Sequence, residues 1–193
     1  LERCKEGYTG LYNYYSSVNA QVVVVILEGI IGIARRYPTF FNDSTISVPR
    51  FGDPEEVICL RMELLSINTS AERLSYIMCQ LKTFMLDTAN QEVIINGLVA
   101  IGRQSREKAG IVVSGIVDVL NMRINRRTEV LLASGVVRLS EYYNDVCEDE
   151  VKFLAYLLDD ASGILAEPGR IASHCIYWCG EYDSCFRKDL LVE

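Results

Sequence analysis

Residues 53–85 read DPEEVICLRMELLSINTSAERLSYIMCQLKTFM, and this stretch sets the fold class. Asp53-Pro54-Glu55-Glu56 is a helix start: an oxygen cap, a proline at the first helical position and acids in the first turn. Val57, Leu60, Leu64 and Ile67 then recur at helical spacing and share one face. Ser70-Ala71-Glu72 opens a second helix in the same way, and Leu74, Ile77, Met78, Leu81 and Met85 form its apolar stripe. The stretch is a helix hairpin that cannot cover its own apolar faces.

On either side of it the hairpin recurs. A polar residue followed by a β-branched one appears at Gln21-Val22, Glu56-Val57, Glu92-Val93, Glu129-Val130 and Arg170-Ile171, at steps of 35, 36, 37 and 41 residues. Each pair opens a stripe: Val93, Gly97, Ala100 and Ile101; Val130, Ala133 and Val137; Ile171, Cys175, Trp178 and Cys179. A second stripe follows in turn, at Leu74, then Val112, Ile116, Val119 and Leu120, then Val151, Leu154, Ala155 and Leu158. Asn90-Gln91-Glu92 and Ser105 read as further caps, and Glu167-Pro168 precedes the fifth landmark. The interval is that of HEAT and armadillo units. The expected fold is all-α, a right-handed α-α superhelix of such helix pairs. Residues 1–193 form one solenoid segment of about five repeats. Tyr8, Tyr12, Tyr14 and Tyr15 give no clean period and are expected to be the tail of a preceding pair.

Composition narrows the function. Half of the 193 residues are hydrophobic, enough for a sizeable core, and four prolines leave room for unbroken helices. The net charge of −7 opposes broad nucleic-acid binding, which needs a basic face, and opposes this segment being the main face on anionic lipid. Arg126 and Arg127 are a local basic patch or two solvated arginines opening a helix. The chain begins at Leu1 rather than Met, so a longer parent polypeptide is expected.

Seven cysteines lie scattered through helical pattern, at positions 4, 59, 79, 147, 175, 179 and 185. An odd, unclustered set reads as reduced thiols acting mostly as small hydrophobes in a cytosolic chain. The apolar run Ala20–Ala34 imitates a membrane span, but Glu28 sits in its middle. A central carboxylate costs about 2.5–3.5 kcal/mol there, and a span needs roughly 20 residues. Residues 22–26 could also make a strand, but nothing else in the chain would pair with it.

Enzyme chemistry finds little to stand on. His174 is the one histidine, and His174, Cys175, Cys179 and Cys185 lack the paired spacing of a zinc site while Cys175, Trp178 and Cys179 lie on an apolar stripe. Residues 110–115 lack the ending of a phosphate loop. No catalytic residue, metal or cofactor is expected.

From about residue 20, and most clearly over 90–185, the chain resembles the trunk of the β (large) subunit of clathrin-adaptor complexes. The residues that carry this are Ala100-Ile101-Gly102-Arg103, Ile116-Val117-Asp118-Val119-Leu120, Arg127-Thr128-Glu129-Val130 with Val136-Val137-Arg138-Leu139, and Tyr177-Trp178-Cys179-Gly180-Glu181-Tyr182. Upstream, Arg35-Arg36-Tyr37-Pro38 and Asp53-Pro54 fall in step with the same family. Residues 96–99 replace a more basic stretch, and residues 16–51 match loosely.

The resemblance implies a non-catalytic scaffold of a vesicle coat in intracellular protein transport, cytoplasmic and peripheral on coated vesicles at the Golgi, endosomes or coated pits. Its partners would be the medium chain, the small chain and the second large chain, with no nucleic acid. Clathrin would be reached only through a hinge whose motif Asp189-Leu190-Leu191-Val192-Glu193 does not fit. Asp118, Met122, Lys152 and Tyr156 are the residues expected to face a partner. Gly102, Arg103, Trp178, Gly180, Glu181 and Tyr182 are expected to join neighbouring repeats, the charged ones through charge-assisted hydrogen bonds. A HEAT scaffold outside trafficking, a coatomer large subunit, and a thiol or metal protein using the cysteine-rich end remain the alternatives.

Overall fold

The computed structural model describes residues 2–15, 19–38, 44–87, 89–122 and 124–143. The fifth landmark, the third second-helix stripe and the cysteine-rich end lie outside them. Among the described residues every element is helical: α1 Glu2–Tyr15, α2 Ala20–Ala34, α3 Ser44–Ser47, α4 Glu55–Asn68, α5 Ala71–Met85, α6 Gln91–Gly102, α7 Arg106–Leu120 and α8 Arg126–Ser140. The valine run at 22–25 is helix, because its buried partners lie at helical spacing (Val23, Ile26, Leu27, Ile30, Ile31 and Ala34) and this packing overrides strand propensity.

Short links set the topology. Thr69 and Ser70 alone join α4 to α5, and residues 103–105 join α6 to α7, so each pair is antiparallel. The landmark helices α2, α4, α6 and α8 pack side by side in one row, and α5 packs on α7 in a second row. The four described landmark pairs all fall in the first turn of a helix of the first row. Caps hold several starts: Ser70 accepts from Arg73 N, Ser105 from Lys108 N, and Asn125 from Thr128 N.

Two expected caps are used otherwise. Pro54, not Asp53, stands at the cap position of α4 and supplies no side-chain bond. Asn90 leaves α6 uncapped and donates to Asp87 instead. Asp53 is claimed by a buried cluster. Arg61, 1% exposed, has its Nε 2.7 Å from Asp53 Oδ2, though not aligned to donate to it. Its guanidinium donates to the Ile46 carbonyl of α3 and lies 5.5 Å from the ring centroid of buried Tyr12. Between α2 and α4, where a full second helix was expected, the described residues hold only the one-turn α3, and Arg61 ties that turn to α4.

The core has two parts that meet at α4. Val57, Leu60, Leu64 and Ile67 pack with α1 and α2, and Ile58, Met62 and Leu65 pack with α5 to α8. The stripes read for α5 and α7 are buried. For α6 the buried set is Ile94, Ile95, Leu98, Val99 and Ile101, whereas Val93 and Gly97 are half-buried and Ala100 is exposed. A helix covered from two sides is apolar nearly all round, so a reading anchored on one landmark selects only one of its faces.

Glycines set how closely the rows pack. A Cβ on Gly97 of α6 would lie 2.7 Å from Met62 Cβ of α4, and one on Gly115 of α7 would overlap Met78 Cε of α5. Met62 Cβ is fixed to its backbone, while Met78 Cε is the free end of a flexible chain. Gly97→Ala is therefore expected to lower stability by about 1–3 kcal/mol through overpacking. Gly115→Ala should fall within about 1 kcal/mol, since Met78 can swing and alanine favours the helix. Urea unfolding of the two variants separates them. Arg61→Met removes the cation beside Asp53, which keeps its hydrogen bond from Arg50 N, and leaves the Ile46 carbonyl without its donor, so it should cost about 3 kcal/mol in the same measurement.

Candidate functional site

A groove of about 820 Å³ runs along the second row between α5 and α7. Ser75, Met78, Cys79 and Lys82 form the α5 wall, and Gly110, Ile111, Ser114, Gly115 and Asp118 form the α7 wall. Small residues on both walls open the space, and Met78 over Gly115 closes its floor. Lys82 pairs with Asp118 across it, with side chains 24% and 52% exposed. Such a pair holds register at small net gain, on the order of 0–1 kcal/mol. Arg106 and Glu107 line the other end, at the start of α7.

A smaller groove of about 450 Å³ lies between α4 and α6 and is lined by Cys59, Glu63, Ser66, Val93, Asn96 and Gly97, among others. The two described thiols whose state is known, Cys59 and Cys79, are both free and exposed, one in each groove. They are not the small core hydrophobes the sequence suggested, because each falls on the groove side of its helix. Burial and the nearby Glu55 carboxylate push the Cys59 thiol above its ordinary value. Among the described residues no His/Cys/Asp/Glu group could hold a metal, and no helix is long and apolar enough to cross a membrane.

Of the expected partner-facing residues, Asp118 lies on the groove wall, and Met122 is 48% exposed just beyond the end of α7. Lys152 and Tyr156 lie outside the described residues, as do Trp178, Gly180, Glu181 and Tyr182. Gly102 is buried, and a Cβ there would meet Leu139 of α8 at 2.7 Å. Arg103, at the end of α6, places its guanidinium 4.5 Å from the Tyr142 ring centroid beyond α8, and its carbonyl accepts from Tyr143. Among the described residues the contact of the Arg103 guanidinium with the neighbouring pair is cation–π. Lys82, Cys79 and Arg106 escaped the sequence reading, since helical spacing marks which residues are buried and not which exposed ones face a neighbouring helix.

Several contacts between neighbouring pairs fall near the interval of the landmarks, while Arg35 meets Glu63 at a separation of 28. Lys82 meets Asp118 at a separation of 36, Gln91 donates to Thr128 at 37, and Gln104 to the Ser66 carbonyl at 38. Tyr143 donates to the Arg103 carbonyl at 40 and Arg138 to Asn96 at 42. Gln91 is 2% exposed and also donates to the Met85 carbonyl, so that contact is a buried polar lock.

Comparison with protein-family models, curated proteins and solved structures finds no match to this chain.

Arg103→Ala removes an exposed cation–π contact, of order 0.5–1 kcal/mol. Calorimetry should record a fall in Tm of about 1–4 °C, the scale for that energy in a chain of this size.

Proposed function

We propose that this chain is a non-catalytic, protein-binding scaffold: a stretch of HEAT/armadillo-like helix pairs coiled into a right-handed superhelix, of the kind found in the trunk of adaptor β subunits. It serves vesicle-coat assembly in intracellular protein transport, holding the medium chain and pairing with the second large chain. The observation that carries the reading is the recurrence, from α4 to the end of α8, of inter-pair polar contacts at separations of 36 to 42 residues, close to the landmark steps of 35 to 41. A helix array built by repetition presents long grooves whose walls come from equivalent helices, and partners dock along them by shape and charge.

The α5/α7 groove supports the docking role. Its mixed chemistry (an apolar floor, a lysine–aspartate pair, a thiol) suits a protein surface better than a small substrate, and Asp118 and Met122 lie along its α7 side and end.

The test is capture. The purified chain, tagged, is mixed with adaptor medium, small and second large chains. Retention of the medium chain is expected, and Asp118→Asn with Met122→Asp should weaken it at least tenfold, about 1.4 kcal/mol, while loss of the Lys82 pair lowers stability by no more than about 1 kcal/mol. A folded chain that retains none of the three ends the adaptor assignment. Retention indifferent to the double substitution moves the partner surface away from α7.

A further inference from the structure

A different surface carries an inference beyond the groove. Helices α4, α6 and α8 begin at one edge of the array, and α5 and α7 end there. Two contacts tie the loops of that edge together. Phe51, just before α4, stacks on Phe84 near the end of α5, with ring centroids 4.6 Å apart. Gln91, opening α6, bonds to Thr128 in the first turn of α8.

Three large apolar side chains stand out from this edge: Phe51 at 70% exposure, Leu86 at 41% and Met122 at 48%. Phe51 is held up by a turn whose Gly52 has φ +86°, a conformation that favours glycine, and it is backed by buried Phe84. An aromatic ring fixed in place before binding loses little entropy on docking, which is the property of an interface anchor.

Carboxylates share the edge with these side chains. Glu55, Glu56 and Glu92 are exposed in the first turns of α4 and α6, and Asp87 follows Leu86. Of the cations at this edge, Arg61 and Lys82 are already paired with Asp53 and Asp118, and Arg50 packs over Tyr12. Arg126 and Arg127 open α8 at this same edge, so the acidic surface is the part formed by the starts of α4 and α6.

We infer that this edge is a docking surface for a lysine- or arginine-rich amphipathic segment of a partner protein, with Phe51 as the apolar anchor and Glu55, Glu56 and Glu92 as its counter-charges. The charge pattern selects the occupant. A purely apolar partner would desolvate those carboxylates without pairing them, which costs more than it returns. A second copy of the chain brings a net charge of −7 against the same acids. Anionic lipid headgroups are repelled for the same reason.

The test uses the full chain and three helical peptides that share one apolar face, with polar faces built of lysine, glutamine or glutamate. Binding is followed by fluorescence anisotropy. The lysine peptide should bind at least tenfold tighter than the other two, and added salt should weaken it, because exposed charges are screened over about 10 Å at 0.1 M. Phe51→Ser, and separately Glu55→Gln with Glu56→Gln, should each weaken it about tenfold at a temperature where circular dichroism shows the helices of the variant intact. Glu28→Gln with Glu72→Gln, an equal loss of exposed charge away from this edge, should leave it as it was. Equal binding of all three peptides overturns the proposal in favour of an apolar partner. Equal weakening by the two glutamate pairs overturns it in favour of diffuse charge attraction. Concentration-dependent dimerisation abolished by Phe51→Ser overturns it in favour of a second copy.

Discussion

One helix pair cannot bury its own apolar surface, and that constraint governs the molecule. α4 makes it visible. Its Val57, Leu60, Leu64 and Ile67 serve the core shared with α1 and α2, and its Ile58, Met62 and Leu65 serve the core shared with α5 to α8. Such a helix is insoluble as a face and stable only as a member of a row. Among the described residues the apolar surface is therefore divided between two clusters that meet at α4.

Repetition needs a register, and apolar burial supplies little, since it is nearly indifferent to sliding along a helix. Register comes from contacts with direction. Gln91 bridges the end of α5 and the start of α8 from a buried position, and Gly97 and Gly102 admit Met62 and Leu139 where any side chain would collide. Where a second helix would sit between α2 and α4, the described residues show α3 and the Arg61–Asp53–Tyr12 cluster. A buried arginine there is a costly substitute for packed hydrocarbon, tolerable because its charge is matched and its donor reaches a carbonyl. One irregular unit can therefore stand in a regular row without interrupting it.

The exposed surface arises from the same arrangement. Helices stacked in parallel leave grooves between them, and short residues at facing positions decide how deep these are. Ser75, Cys79, Gly110, Ser114 and Gly115 do this for the α5/α7 groove. The direction of the first-row helices gathers their acidic first turns at one edge, where they oppose the positive end of each helix dipole and also give that edge its charge. Stability and recognition thus draw on the same glutamates.

The helical class, the hairpin, its interval and much of what is buried are legible in the residues alone. These are local or periodic properties, and a period of 3.6 residues inside a period of some three dozen is written along the chain. Every residue read into the stripes of α5 and α7 is buried, although Phe84, Ala109, Val113 and Gly115 are buried beside them. Those of α4 and α6 were legible only in part, because a helix covered on two sides loses the contrast that reveals orientation. Asp118 and Met122 could be named as exposed, but not that Lys82 would meet Asp118 across a groove. It took the packed helices to settle that Asp53 pairs with Arg61 rather than capping α4, that Cys59 and Cys79 look outward, and that Phe51 stacks on Phe84. Each of these is a contact between residues on different elements or a choice among faces of one helix. Both are set by how the rows align, a relation that no local pattern encodes.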